Sequence, residues 1–359
     1  MIENLRKRIR NISALDVILG IFRLFIIVVV LWGIIGTILR NPLRMGPEQW
    51  RDLAVSGLAQ GSLYALIALG YTMVYGVLLM INFSHGEFFM AGIFTATVFV
   101  AIPLDQAGLW NRYPLPSLLL VGLVSMATSM GVAVLTERVA YRPLRRAPRL
   151  VPLITAIGAS FFWQYFFRGL YGSGITAFPT VQALSGNWNI GWFQFAKAQV
   201  VVMVASLILL IALYLFVMRT KTGRAMRAVS ENKDVAALMG IDVDRIIVIT
   251  FAVGASMAGA AGVLYALMYR QVHFFMGFVP GIKAFTAAVL GGIGNVPGAA
   301  LGGLSLGLFE AIIPNLVLGG LNIPGTNQLK DVVAFTMLVL ILMFRPQGIL
   351  GERLGRHKA

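Results

Sequence analysis

Ten apolar stretches, near 17–39, 53–79, 86–103, 117–137, 151–171, 198–218, 246–268, 284–301, 302–318 and 330–344, fill most of this 359-residue chain. A bilayer core about 30 Å thick is crossed by about 20 apolar residues in a helix. In lipid only a helix or a closed barrel satisfies its own backbone. The pattern predicts an all-α polytopic membrane protein with about 9–10 transmembrane helices. Composition agrees, with 58% of residues hydrophobic and 12% charged, against about half and about a quarter in soluble domains. A soluble globular enzyme and a disordered chain are both excluded. Gly291, Gly292, Gly294, Pro297 and Gly298 interrupt the 284–301 stretch, so a broken or re-entrant segment is expected there.

Lys and Arg number 29 against 14 Asp and Glu, a formal net charge of +15. In a soluble chain that excess would suggest nucleic acid. On this apolar background it is a topology signal, and no nucleic-acid partner is expected. Most of the basic residues fall in four places: Arg6, Lys7, Arg8 and Arg10; Arg138, Arg142, Arg145, Arg146 and Arg149; Arg219, Lys221, Arg224, Arg227, Lys233 and Arg245; and Arg345, Arg353, Arg356 and Lys358. A path of ten crossings brings all four to one face, which the positive-inside rule makes cytoplasmic, both termini included. Arg40, Arg44, Arg51, Arg112, Lys197, Arg270, Lys283 and Lys330 go to the other face. No small-residue cleavage site follows the first apolar run, so an uncleaved span is expected rather than a signal peptide. Residues 172–197 read as an ordered external loop or a surface-lying helix. Residues 219–245 read as a cytoplasmic segment with a short amphipathic helix.

Asn82, Ser84, His85 and Glu87 cluster between two apolar runs, where ionisable groups are costly and point to function. One reading is a helix break whose freed N–H and C=O groups bind the carboxylate and ammonium of a zwitterion. The other is a short turn with an Asx or Ser cap. The counterpart in the second half is Gly291, Gly292, Gly294 and Asn295, read either as a broken span on the pathway or as close helix packing through small residues. Gly61-Ser62-Leu63-Tyr64-Ala65-Leu66 recurs as Gly262-Val263-Leu264-Tyr265-Ala266-Leu267. On the ten-crossing path the copies run in opposite directions, as an inverted repeat would. Glu310 stands alone in an apolar run, which opens a second class of function, an ion-coupled secondary carrier. There is no cysteine and only three histidines, so disulfides are excluded and no metal site is expected. No Gly-Lys dipeptide exists, hence no P-loop. The chain is expected to be neither an enzyme nor a cofactor binder.

The run GLAQGSLYALIALGYTMVYGVLLMINFSHGEFFMAG at 57–92 resembles LivH-type permeases, the membrane subunits of branched-chain amino-acid ABC importers. The resemblance continues through Glu137–Arg145, Thr222–Ala228, Leu238–Asp242, Gly281–Gly294 and Pro346–Gly351, covering roughly 50–351. It implies a LivH-like permease domain over 46–351. Residues 1–45 then form an N-terminal extension with one extra span, and 352–359 a cytoplasmic tail. It also implies a bacterial inner-membrane importer of leucine, isoleucine, valine or related amino acids, with urea, short amides or other neutral amino acids as alternative cargo. The implied partners are a second, LivM-like permease, two LivG/LivF-like ATPases that hold ATP and magnesium, an extracytoplasmic binding protein and membrane lipid. ATPase docking falls on 219–245, at Arg224, Arg227, Glu231, Asp234 and Gly240. There Asp234–Gly240 loosely matches the EAA loop of other ABC permeases and is one residue short of it.

Overall fold

The computed structural model describes residues 14–40, 43–145, 147–148, 150–190, 193–345 and 347–351. The basic residues at 6–10, Arg146, Arg149, Pro346 and the 352–359 tail lie outside the described residues. Helix α1 is Ala14–Arg40, α2 Pro47–Leu78, α3 His85–Gln106, α4 Pro114–Leu144 and α5 Leu150–Tyr171. Strands β1 (Thr176–Ala177), β2 (Asn187–Ile190) and β3 (Phe193–Ala196) lead into α6, Lys197–Arg219. Two short helices, α7 (Lys221–Glu231) and α8 (Lys233–Leu238), precede α9, Val243–Tyr269. Strand β4 (Gln271–Val272), α10 (Phe278–Gly291), α11 (Val296–Leu318) and α12 (Thr326–Phe344) complete the chain. Among the described residues nine helices are long and apolar enough to span a bilayer, all except α7, α8 and α10. The chain is an all-α, multi-pass membrane protein.

Two markers fix the faces. β1 pairs antiparallel with β4, Thr176 opposite Val272, so the α5–α6 and α9–α10 connections share one face. On the other face Arg142 and Arg145 pair with Asp244 at the start of α9. The segment expected as an external loop or surface helix is a loop with short strands, β2 and β3 forming a hairpin. The single amphipathic helix expected over 219–245 is two helices, each capped: Thr220 Oγ1 accepts from Gly223 N–H at 3.0 Å, and Asn232 Oδ1 accepts from Asp234 and Val235.

The 284–301 stretch is not a span. α10 holds 14 residues, about 21 Å of helix, too short for the hydrocarbon core. A non-helical leg runs from β4 to Gly277 ahead of it. Gly291–Asn295 is the turn between antiparallel α10 and α11, where Gly291 meets Gly298 backbone to backbone. Lys283, expected in a loop, is buried inside α10. Nine helices, not ten, are therefore of spanning length among the described residues.

Two sets of four helices correspond in reverse orientation. α2 ends on Leu79 (φ 58°) and α9 on Arg270 (φ 55°), each a left-handed cap donating to the carbonyl four residues back. Each cap is followed by a non-helical leg and then a helix, α3 or α10; the first turn of α3 is buried, and α10 is buried from Pro280 on apart from scattered positions. α3 packs on α4 and α9, and α10 packs on α11 and α2. α4 and α11 both carry a π turn toward their ends, at Glu137–Tyr141 and Pro314–Leu318. The echoed six-residue motif is out of register with this symmetry. Gly61–Leu66 sits mid-helix in α2 against α11, whereas Gly262–Leu267 ends in the last turn of α9 against α3.

The helices approach closely through small residues, as lipid-embedded packing requires. A Cβ on Gly61 would stand 2.9 Å from Gly303 O, and one on Gly303 would strike the Ala65 backbone. Ser125 Oγ donates to Gly259 O and Ser129 Oγ to Phe88 O, both at 2.7 Å, tying α4 to α9 and α3. α1 docks on the π turn of α11, with Gly33 and Gly36 against Val317 and Gly320 and Thr37 Oγ1 donating to Leu316 O at 2.8 Å. Arg23 lies over the Phe344 ring, 4.4 Å from its centroid, and Arg168 over Phe274 at 5.4 Å.

Candidate functional site

The leg between α2 and α3 is held by a polar knot. Asn82 Oδ1 accepts from Tyr141 Oη at 2.6 Å, from Ser84 Oγ at 2.7 Å and from Ser84 N–H at 3.2 Å. Ser84 Oγ and Tyr141 Oη are themselves 2.6 Å apart. Asn82 and Ser84 therefore fasten the break to the π turn of α4. His85 is wholly buried, against the Gly70 backbone, Tyr71 (ring centroids 4.7 Å apart) and Phe88 (5.7 Å). Glu87 is also fully buried, and its Oε1 accepts from Gln164 Nε2 at 2.7 Å and Ser160 Oγ at 3.0 Å on α5. The first group of expected site residues thus lies together, at the buried start of α3.

The start of α10 meets the start of α3. A Cβ on Gly86 would collide with Gly277 O and lie 3.1 Å from Gly281 Cα. Glycine is the residue that permits this approach. α10 carries a buried ionisable group of its own, Lys283. Its Nζ lies 2.5 Å from Glu310 Oε1 on α11 and 2.6 Å from Asp331 Oδ1 on α12. Gln60 Nε2 donates to Glu310 Oε1 at 3.4 Å. The start of each of these two helices is thus tied to neighbouring helices of its own repeat by a buried polar group. Glu310 is neutralised within the chain, which weighs against the ion-coupled carrier. The sequence showed Glu310 but hid its partner, because Lys283 stood at the edge of an apolar run that starts earlier than the run itself reveals.

The second expected group does not form one site. Gly291 packs on Gly298, and Gly292 (φ 104°) takes the C-terminal segment, with Leu350 N–H donating to Gly291 O at 3.0 Å. Asn295 caps α11 by accepting from Gly298 N–H at 3.0 Å, and its Nδ2 donates to Leu350 O at 3.0 Å. These three are packing and capping residues. Gly294 differs: it lines an open cleft of about 370 Å³ with Thr72, Gly76, Arg227, Ser230 and Thr250. Next to that cleft, Asn82 and Ile293 line a smaller space of about 210 Å³ with Tyr71, Tyr75 and Phe285. The two interrupted segments meet there, through Asn82 and the α10–α11 turn.

The expected docking residues Arg224, Arg227, Glu231, Asp234 and Gly240 are all exposed on the basic face. Arg227 is turned back toward the end of α6, donating to Met218 O at 3.5 Å. Gly223, Met226, Val229 and Ala236 anchor the helix pair, while Leu238 and Met239 stand 86% and 77% exposed at its tip, before Gly240 (φ 81°). Charge directed attention away from these two apolar residues. Arg145 pairs with both Glu137 and Asp244. Burial, and then the nearby Arg145, lowers the Lys233 ammonium below the usual lysine value. One charged cluster therefore joins the end of α4 to the start of α9, with Lys233 of α8 beside it.

These features define a class: a multi-span helical membrane permease with interrupted helices at its core and a helix pair projecting from one face. Residues 53–342 match the family described as the permease component of branched-chain amino acid transport systems. The chain belongs to that family. It is 42% identical over 302 residues to the high-affinity branched-chain amino acid transport system permease protein LivH of Escherichia coli, covering 83% of this chain and 94% of that one. It is 45% identical over 304 residues to the corresponding BraD protein of Pseudomonas aeruginosa, with the same coverage. A probable branched-chain amino acid transport permease, LivM of Methanocaldococcus jannaschii, is 28% identical over 189 residues, half of this chain and 52% of that one. The chain is a permease subunit of an ABC importer.

Proposed function

We propose that this subunit passes leucine, isoleucine, valine or closely related amino acids across the bacterial inner membrane into the cytoplasm. The observation that carries this reading is the near full-length match to LivH and BraD, both named for high-affinity branched-chain amino-acid transport. The basic face is cytoplasmic by the positive-inside rule, so both termini are cytoplasmic and β1–β4 face outward. The helix pair α7–α8 is the docking element for an ATPase that binds ATP and magnesium. Its exposed Leu238 and Met239 fit an apolar socket, with Arg224, Glu231 and Asp234 around it.

A LivM-like permease completes the pathway. ATP binding draws the two ATPases together, and α7–α8 carries that motion to α6 and α9. An extracytoplasmic binding protein delivers cargo to the outer face. Co-purification from native membranes tests the assembly. A second permease, two ATPases and a binding protein accompanying this chain support it. Isolation of this chain alone, or with itself only, overturns it.

A further inference from the structure

Three glutamates are fully or nearly fully buried: Glu87, Glu137 and Glu310. Glu137 has Arg145 as its counter-ion and Glu310 has Lys283. Among the described residues no salt bridge reaches Glu87. Its two donors, Ser160 and Gln164, are neutral, and both go to Oε1. Oε2 is buried and has no hydrogen-bond partner. It points at the junction of the two interrupted helices, 3.1 Å from where a Cβ on Gly277 would sit. Gly277 is the N-cap of the 14-residue α10, and Glu87 lies in the first turn of the 12-residue helical segment that opens α3. Two helix N-termini converge on this carboxyl group, and their partial positive charge offsets part of the cost of ionising it in so buried a place. An ionisable group buried among apolar helices without a counter-ion is costly and marks function, and what it lacks is a cation.

We propose that Glu87 is the cargo-recognition residue of this permease. Its free oxygen takes the ammonium of an α-amino acid when the α3–α10 junction parts, while the N-terminus of α10 faces the cargo carboxylate. The proposal rests on the importer reading above and narrows it: the chemistry fits a zwitterion and does not fit urea or a short amide, which bring no cation. In the closed junction Gly86, Gly277 and Gly281 press backbone to backbone and leave no room for cargo. Recognition and opening are therefore one event.

The test uses the full complex in proteoliposomes with radiolabelled leucine. Glu87→Gln keeps an acceptor for Ser160 and Gln164 and removes the charge. Its initial uptake rate is expected to fall at least about tenfold; uptake at the wild-type rate overturns the proposal. Should Glu87→Gln not accumulate in the membrane, Glu87→Cys decides, because this chain has no other cysteine. Alkylation with iodoacetate puts a carboxylate back, whereas iodoacetamide adds a neutral group of similar size. Recovery with iodoacetate alone supports a charge requirement. Recovery with both reagents alike, or with neither once mass spectrometry shows the thiol alkylated, overturns it. The wild-type complex in the same assay separates the two levels: if it takes up no leucine, the importer reading fails, whatever the variants do.

Discussion

The Lys283–Glu310 pair shows how a charge survives in this membrane core. Removing one partner of a buried pair typically costs about 3–5 kcal/mol, because an uncompensated charge stays behind, while removing both is often close to neutral. Lys283→Leu is therefore expected to lower the melting temperature of the purified chain in detergent more than Lys283→Leu combined with Glu310→Leu does. A double variant that loses the sum of the two single losses would contradict the pairing. Glu310 was legible in the sequence as a lone acid in an apolar run. The pairing was not, because 27 residues and a tight turn separate the partners, and spacing in sequence carries no information about contacts across such a turn. The Asn82–Glu87 cluster was legible for the opposite reason: its residues are consecutive, and their cost in lipid shows without any partner.

At the scale of elements, the packing predictions depend on where a glycine sits. Gly61→Val and Gly303→Val place side chains into the facing backbone of α11 or α2 and are expected to abolish accumulation in the membrane, read by immunoblot. Gly20→Val on α1, where a Cβ would meet nothing within 4 Å, is expected to accumulate as the wild type does. Equal accumulation of all three would refute the α2–α11 interface. The helix pair gives a second prediction. Leu238→Asp with Met239→Asp is expected to lower ATPase affinity for the membrane complex at least about tenfold, about 1.4 kcal/mol, measured by pull-down at graded ATPase concentration. Retained affinity would move the docking site elsewhere. The long helices could be read from apolar length alone. α10 could not, since a half-length helix following a non-helical leg merges in sequence with the next helix, and the glycines that mark the turn resemble glycines that break a span.

At the scale of the molecule, the correspondence of α2–α5 with α9–α12 joins the local observations. Both halves place an interrupted helix at the centre, tie it to its own repeat with a buried polar group, and leave the two starts in contact. Such a contact is the natural place to open and close a pathway, since parting the repeats parts the junction. The proposed docking pair α7–α8 lies on the face carrying the charged cluster of Arg142, Arg145 and Asp244. The measurement that bears most directly on this is leucine uptake into proteoliposomes containing this chain with and without its partners. Uptake that needs ATP, both ATPases, the second permease and the binding protein is the expected result. Uptake by this chain alone, driven by an ion gradient and indifferent to ATP, would contradict it.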